Sequence, residues 1–335
     1  MIKDLKPLNN KFILIKRFTY LLKTIINIFL KKLNIFLIWR SGKAIGDQVL
    51  IAGFAKCLKS KKNCSIIVIT KYPKLLSLSP WIDRVLSPDK IPFWYLIYYG
   101  LKLTEGERII EYNFPYKNFG YNSHIEAYQS GLYQYLNEPP IWHAHVADRF
   151  GKELFENFSG GLEESKDKVV TQIIKSIRNK NAEFKIGIIN PIGKATFTKA
   201  KIYGFKNYQR IINLTNSKIL WIQVGLQNDQ VLQNIHKDLR GKSLEFLVNI
   251  ISLSDLVLAD EGLMNHIAGS FSNVNSYVTF SEFSPPKYYS YSNTITLGEP
   301  DNLNKRNNWS YSKNNNFIVP NSTELAESLL RYEFD

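Results

Sequence analysis

One figure occurs twice in this chain and restricts its fold more than any other feature. Ile35-Phe36-Leu37-Ile38-Trp39 is a short, unbroken apolar run that stops at Arg40-Ser41-Gly42-Lys43-Ala44-Ile45-Gly46-Asp47. A helical pattern through Val49, Leu50, Phe54, Ala55 and Leu58 follows it. The figure returns at Lys185-Ile186-Gly187-Ile188-Ile189-Asn190, which runs into a loop reaching Lys201. A run this short, without polar alternation, suits a strand covered on both faces, and that places helices on both sides of a parallel sheet. Further strands are expected at Ser65–Ile69, Arg84–Leu86 and Arg108–Glu111 in the first series. In the second they are expected at Lys218–Val224, Leu256–Leu258 and Ser276–Thr279. Leu75, Leu76 and Leu78 indicate a short helix before Pro80, and the aromatic stretch from His124 to about Leu162 reads as helical or irregular.

A chain of 335 residues is long for one core and suits two α/β domains of roughly 150 residues each. Its 44% hydrophobic content is ample for both. Lys166 to Asn181 is a charged amphipathic stretch that reads as a linker or bridging helix. The expected organisation is therefore an extension over 1–34, an α/β domain over 35–165, a linker over 166–184, a second α/β domain over 185–320 and a closing helix over 321–335. That last helix is expected to pack back across the junction. Ligands belong in the cleft between the units, at the carboxyl ends of the strands.

The net charge of +14 points to nucleic acid, anionic lipid or a phosphorylated substrate. Position narrows the choice. Before residue 35, Lys3, Lys6, Lys11, Lys16, Arg17, Lys23, Lys31 and Lys32 are opposed only by Asp4, so half of the excess lies in the extension. Lys16, Lys23, Asn27 and Lys31 recur there at helical spacing beside a broad apolar face. Lys16, Arg17 and Lys23 interrupt the apolar run, which argues against a membrane-spanning helix, and no small-residue cleavage site marks a secretory signal. The stretch is a basic amphipathic helix that lies in a membrane surface or packs on the protein's own first domain. No finger, RNA-recognition or helix-turn-helix pattern supports a nucleic-acid partner. Two cysteines, Cys57 and Cys64, give neither a disulfide framework nor a zinc quartet and fit a reducing compartment. His143 and His145 have no nearby thiol and no clear carboxylate partner, so no metal site is expected there.

Three loops carry candidate chemistry. Lys43, Gly46 and Asp47 sit between strand and helix, where glycine lets backbone approach a ligand and the helix start favours anions. Asp47 either serves that ligand or merely caps the helix. Asp260, Glu261 and Gly262 follow a strand and lead into a helix carrying Asn265 and His266. The carboxylates there either grip sugar or ribose hydroxyls or cap that helix, with His266 then a satisfied core residue. The loop with Lys194, Thr196, Thr198, Lys199 and Lys201 either neutralises a diphosphate or is a solvated basic loop.

Taken in order, these motifs resemble the lipopolysaccharide heptosyltransferase family (glycosyltransferase family 9). Gly46-Asp47, the following helix, the Ser65–Ile69 strand and Trp81-Ile82-Asp83-Arg84-Val85-Leu86 are similar to the family's start. Lys201 to Tyr208 and Leu239 to Leu244 are similar to segments of its second half. Asp260-Glu261-Gly262-Leu263-Met264-Asn265-His266-Ile267-Ala268 resembles its Asp-Ser-Gly-(Pro/Leu)-Met-His-Leu-Ala signature, with two departures. Glu261 stands where Ser or Thr is usual, and either Asn265 is an extra residue or it takes the family histidine's place.

The resemblance implies a GT-B fold: two Rossmann-like domains facing each other across a cleft, the first for acceptor and the second for a nucleotide sugar. It implies inverting, metal-independent transfer without a cofactor, with ADP-heptose the favoured donor. The acceptor would be the lipopolysaccharide core or another cell-surface glycan, and the enzyme would sit in the cytoplasm at the inner face of the membrane. By position, Asp47 would be the general base and Lys201, with Thr196 or Thr198, would neutralise the leaving diphosphate. Asp260 would hold donor hydroxyls, with Glu261 and Gly262 beside it and His266 orienting the loop. The competing expectation is a GT-B-like accessory or binding protein without turnover.

Overall fold

The computed structural model describes residues 21, 25–26, 28–40, 44–91, 108–112, 154, 158–164, 166–191, 202–279, 290–297 and 321–334. They form two parallel sheets. The first contains β1 (Ile35–Trp39), β2 (Ser65–Ile69), β3 (Arg84–Leu86) and β4 (Ile109–Glu111) in the order β3-β2-β1-β4. The second contains β5 (Lys185–Asn190), β6 (Ile219–Gln223), β7 (Lys237–Asp238), β8 (Leu256–Asp260), β9 (Asn275–Thr279) and β10 (Thr294–Leu297) in the order β10-β9-β8-β5-β6-β7. Every pairing is parallel. In both sheets the order reverses beside the first strand, and this opens a crevice at its carboxyl end.

The repeated apolar figure becomes β1 and β5 as expected, with Ile35 opposite Ser65 and Ile188 between Ile222 and Val257. Gly187 in β5 has a packing reason: a Cβ there would stand 2.6 Å from the Trp221 ring. Trp221 is thereby sunk into the second core, its Nε1 donating to Thr215 Oγ1 at 2.9 Å.

The helix after β1, α1 (Ile45–Lys61), is buried from Asp47 to Ala55 without a break. A helix covered on that much of its circumference shows little amphipathic pattern. It is covered by its own sheet on one side and by α6 (Leu263–Ala268) of the second series on another, within one apolar cluster that joins Val49, Leu50 and Phe54 to Met264, Ile267 and Phe271. The other helices are α2 (Pro73–Leu76), α3 (Lys168–Lys180), α4 (Phe205–Thr215), α5 (Leu244–Ser252) and α7 (Ser322–Phe334).

α3 is the expected linker segment. Asp167 caps it, accepting from Val169 N at 2.8 Å, and Arg178 ties its far end to Asp255 at 2.8 Å. Residues 158–164 lace the two series together. Gly160 N donates to Gly269 O at 2.7 Å, Leu162 N to Ser270 Oγ at 3.3 Å, and Glu163 N to Leu78 O at 3.1 Å. A Cβ on Gly161 would collide with the Ala52 carbonyl of α1.

Two expectations change. α7 does not cross the junction: Leu325, Ala326 and Leu329 pack with Tyr208 and Ile212 in the second core. Its end is held there by Glu333, which accepts from Asn275 Nδ2 and Tyr277 OH at 2.7 Å each. The second sheet also has two strands more than the apolar runs indicate. β7 is two exposed charged residues and β10 a short Thr-Ile-Thr-Leu alternation, so neither forms a continuous run. Of the amphipathic extension, residues 1–20, 22–24 and 27 lie outside the described residues; 28–32 are helical, and Leu30 packs on Trp39, Ile69 and Ile109. Most of the aromatic stretch from His124 also lies outside them. Cys57 and Cys64 are free thiols, and burial pushes Cys57 up to about 11.

Candidate active site

The carboxyl ends of β1 and β8 bring two polar clusters to one junction. Arg40 directly follows β1 and is buried. Its Nη1 donates to the Tyr112 carbonyl at 3.0 Å and its Nη2 to Asp47 Oδ2. Both side chains of that ion pair are under a tenth exposed, so the guanidinium balances the carboxylate's charge where water does not. Asp47 does not cap α1. Ala44 holds the cap position, and Asp47 stands in the first turn, where the helix dipole favours an anion.

Asp260 ends β8 and is buried. Its Oδ1 accepts from Tyr208 OH at 2.6 Å, Thr279 Oγ1 at 2.8 Å and Tyr203 N at 3.2 Å. Its Oδ2 is buried without a partner among the described residues. Burial pushes the carboxyl up to about 6, against the opposing pull of the three hydrogen bonds. Tyr208 reaches it from the first turn of α4, which follows Gly204 at φ 102°. Asp260 is likewise no cap: Gly262 holds that position before α6, at φ 154° and ψ −143°, a region that side chains rarely allow.

Beyond Gly262, neighbouring helix positions face different ways. Asn265 is fully buried against the sheet, its Oδ1 accepting from Ser276 Oγ and Thr294 Oγ1 at 3.1 Å each. His266 turns toward α1. Its Nδ1 lies 2.8 Å from Tyr291 OH and its Nε2 lies 3.7 Å from Glu261 Oε1, with Glu261 and His266 both buried. Gly46 is what lets α1 approach, since a Cβ there would stand 3.0 Å from His266 Cδ2 and 3.5 Å from Leu263 N. The glycine that reads as room for a ligand thus makes room for a histidine. Electrostatics join the two clusters: burial holds the Tyr112 hydroxyl well above its ordinary value, with Arg40 lowering it and Tyr291 and Asp47 raising it.

The junction therefore brings Gly46 against Leu263 and His266, and His266 near Glu261, with Asp47 next in sequence to Gly46 and paired with Arg40, and with Asp260 facing Tyr203, Tyr208 and Thr279. Lys43, Thr196, Thr198 and Lys201 lie outside the described residues, as do His143 and His145. Among the described residues, no group of three or more His, Cys, Asp or Glu side chains is placed to hold a metal ion. Sequence reasoning gave no role to Arg40, Tyr208 or Tyr291. A cation next to a buried strand end was a usable signal for Arg40, and Tyr208 lay inside a quoted motif. Nothing local marked Tyr291.

No family model matches the sequence, and no curated protein does. Solved structures do. ADP-heptose lipopolysaccharide heptosyltransferase II of E. coli is 12% identical with a TM-score of 0.58, covering 88% of this chain and 98% of its own. A glycosyl transferase family 9 protein from Veillonella parvula is 14% identical with a TM-score of 0.57, covering 88% and 97%. The iron-containing dodecameric glycosyltransferase TibC of enterotoxigenic E. coli is 12% identical with a TM-score of 0.51, covering 78% and 64%. Two parallel-sheet units meeting at the carboxyl ends of their strands, matched over almost the whole of the E. coli and Veillonella parvula chains, give this protein the GT-B fold of those glycosyltransferases.

Proposed function

We propose that the protein is an inverting glycosyltransferase that moves a sugar from a nucleotide-sugar donor to a lipopolysaccharide-core or other cell-surface glycan acceptor. The observation that carries this reading is the close approach of Gly46, the residue before Asp47 at the start of α1, to Leu263 and His266 in the helix that follows the Asp260-Glu261-Gly262 turn. Asp47 takes the acceptor hydroxyl's proton as its oxygen attacks the anomeric carbon and the nucleoside diphosphate leaves from the opposite face. Arg40 keeps that carboxylate in place. Asp260 offers its unpartnered Oδ2 to a donor hydroxyl, and His266 with Tyr291 steadies the turn.

The leaving diphosphate is neutralised by Lys201 with Thr196 or Thr198, without a metal ion or cofactor. Heptose is the favoured sugar and ADP the favoured nucleotide, because the E. coli structure bears that activity in its name. The enzyme would work in the cytoplasm, at the inner membrane surface where such acceptors are assembled. A panel of nucleotide sugars, assayed for binding and turnover with wild type, Asp47→Ala and Asp260→Ala, tests the reading. The expected result is one donor whose binding weakens in Asp260→Ala and whose turnover vanishes in Asp47→Ala. A GT-B-like accessory protein is the second reading, favoured by the buried pairing of Asp47 with Arg40. Absence of binding by any nucleotide sugar would make it the better one.

A further inference from the structure

The helical segment before β1 has two opposed apolar faces, and the fold uses only one. Ile26 and Leu30, four residues apart, pack on the cluster of Trp39, Ile69 and Ile109. Leu21, Ile25, Ile28 and Phe29 follow the i, i+4, i+7, i+8 spacing of the other face, with Leu33 just past the helical residues. All five are exposed, Phe29 and Ile28 at 60% and 62%. They make up five of the twelve large hydrophobic side chains that are exposed among the described residues, gathered into 13 consecutive positions. Single exposed apolar residues are ordinary, but a clustered stripe of this kind marks an interaction surface.

Charge identifies the occupant. Lys31 and Lys32 are exposed at the end of the stripe, and Lys32, eleven residues after Leu21, returns to the same face. The first 34 residues carry eight basic residues against one acidic. Apolar side chains flanked by lysines match the boundary between acyl chains and anionic headgroups, where the lysine stems extend their ammonium groups to the phosphates. Lys16, Arg17 and Lys23 interrupt the apolar run of the extension, which suits a helix lying on the surface better than one crossing it. Leu30 and Ile26 would hold the first sheet against that surface.

We infer that the outward face of this helix, Leu21, Ile25, Ile28, Phe29 and Leu33 with Lys31 and Lys32, docks the protein on an anionic lipid bilayer. This deepens the proposed function by naming what carries the enzyme to a membrane-borne acceptor, but its test needs neither donor nor acceptor. The experiment is co-sedimentation of the full chain, without nucleotide, with vesicles of phosphatidylglycerol and phosphatidylethanolamine, against vesicles of phosphatidylcholine alone. The wild type should bind the anionic vesicles, and less so as salt rises.

Ile25→Glu with Phe29→Glu should weaken binding by about tenfold or more, since two buried apolar side chains are lost. Lys31→Glu with Lys32→Glu should remove the preference for anionic lipid. Leu214→Glu with Leu226→Glu, exposed apolar positions elsewhere, should bind as wild type. Unchanged thermal unfolding of each variant shows that the fold is kept. Wild-type protein that ignores anionic vesicles, or binding indifferent to Ile25→Glu with Phe29→Glu, would overturn the inference. So would a wild-type dimer that the same pair converts to monomer, because a second copy would then be the occupant. Failure here leaves transfer to a water-soluble acceptor intact, whereas failure of the transferase reading leaves vesicle binding intact.

Discussion

Replacing Asp260 by Asn should change how stability depends on pH. In the folded protein burial raises this carboxyl from 3.8 to about 6. At about 1.36 kcal/mol per unit, keeping it ionised at neutral pH costs the fold about 3 kcal/mol. Because the folded value is the higher one, the penalty is absent below the unfolded value near 3.8, grows as pH rises, and levels off above about 6. About 2 kcal/mol of it falls between pH 4 and pH 7 by the same linkage. Asparagine can keep the bonds from Tyr203 N, Tyr208 OH and Thr279 Oγ1 with its carbonyl oxygen. Its amide nitrogen would take the unpartnered Oδ2 position, at a pH-independent cost of about 1–3 kcal/mol. The absolute stability of the variant therefore decides little, and the slope decides. Urea unfolding of both proteins at pH 4, 5, 6 and 7 should show the variant gaining on wild type by about 2 kcal/mol across that range. A difference that stays flat with pH would refute the argument that Asp260 is buried at a cost. A donor hydroxyl bound at Oδ2 should also reduce the wild-type penalty, so saturating donor should stabilise wild type more than the variant.

Tyr208→Phe deletes the 2.6 Å bond that favours ionised Asp260, so the pH midpoint of the same stability profile should move upward. Arg40→Ala strips Asp47 of its buried guanidinium and should cost about 3–5 kcal/mol in urea unfolding. Adding Asp47→Asn should recover part of that loss, and no recovery would mean the two do not act as a pair. Gly161→Ala drives a methyl group into the Ala52 carbonyl, a backbone atom that cannot swing aside, and should lower stability by about 1–3 kcal/mol or more.

The sheets were legible because parallel strands covered on both faces leave short continuous apolar runs, and β1, β2, β5, β6 and β8 all do. β7 has no such run, since Lys237 and Asp238 are exposed charged residues that become a strand by pairing with Ile222 and Gln223. The placement of α7 was not legible either. Leu325 and Leu329 announce a buried face, but the sequence does not say against what, and Glu333 meets its partners 56 and 58 residues away. At the site the same limit recurs. Asp47 and Asp260 stand out because each borders a strand-to-helix turn of recognisable composition. Their environments depend on contacts distant in sequence: Tyr112 is 72 residues from Arg40, and Tyr208 is 52 from Asp260. The two turns were each read as offering an N-cap, but Ala44 and Gly262 occupy those positions, which leaves both carboxylates to other partners.

The lacing at residues 158–164 has a mechanical consequence. Gly160 and Gly161 bring backbone against backbone on Ser270 and Ala52, so this contact behaves as a rivet, with no long side chain to stretch. Any rocking of one half against the other would turn about it. Asp47 lies only five residues before Ala52 on the same helix, about 7.5 Å from the rivet along the axis. Points near a fulcrum travel least. Asp47, proposed above as the general base, would keep its aim through such rocking, and the large displacements would fall on surfaces farther out.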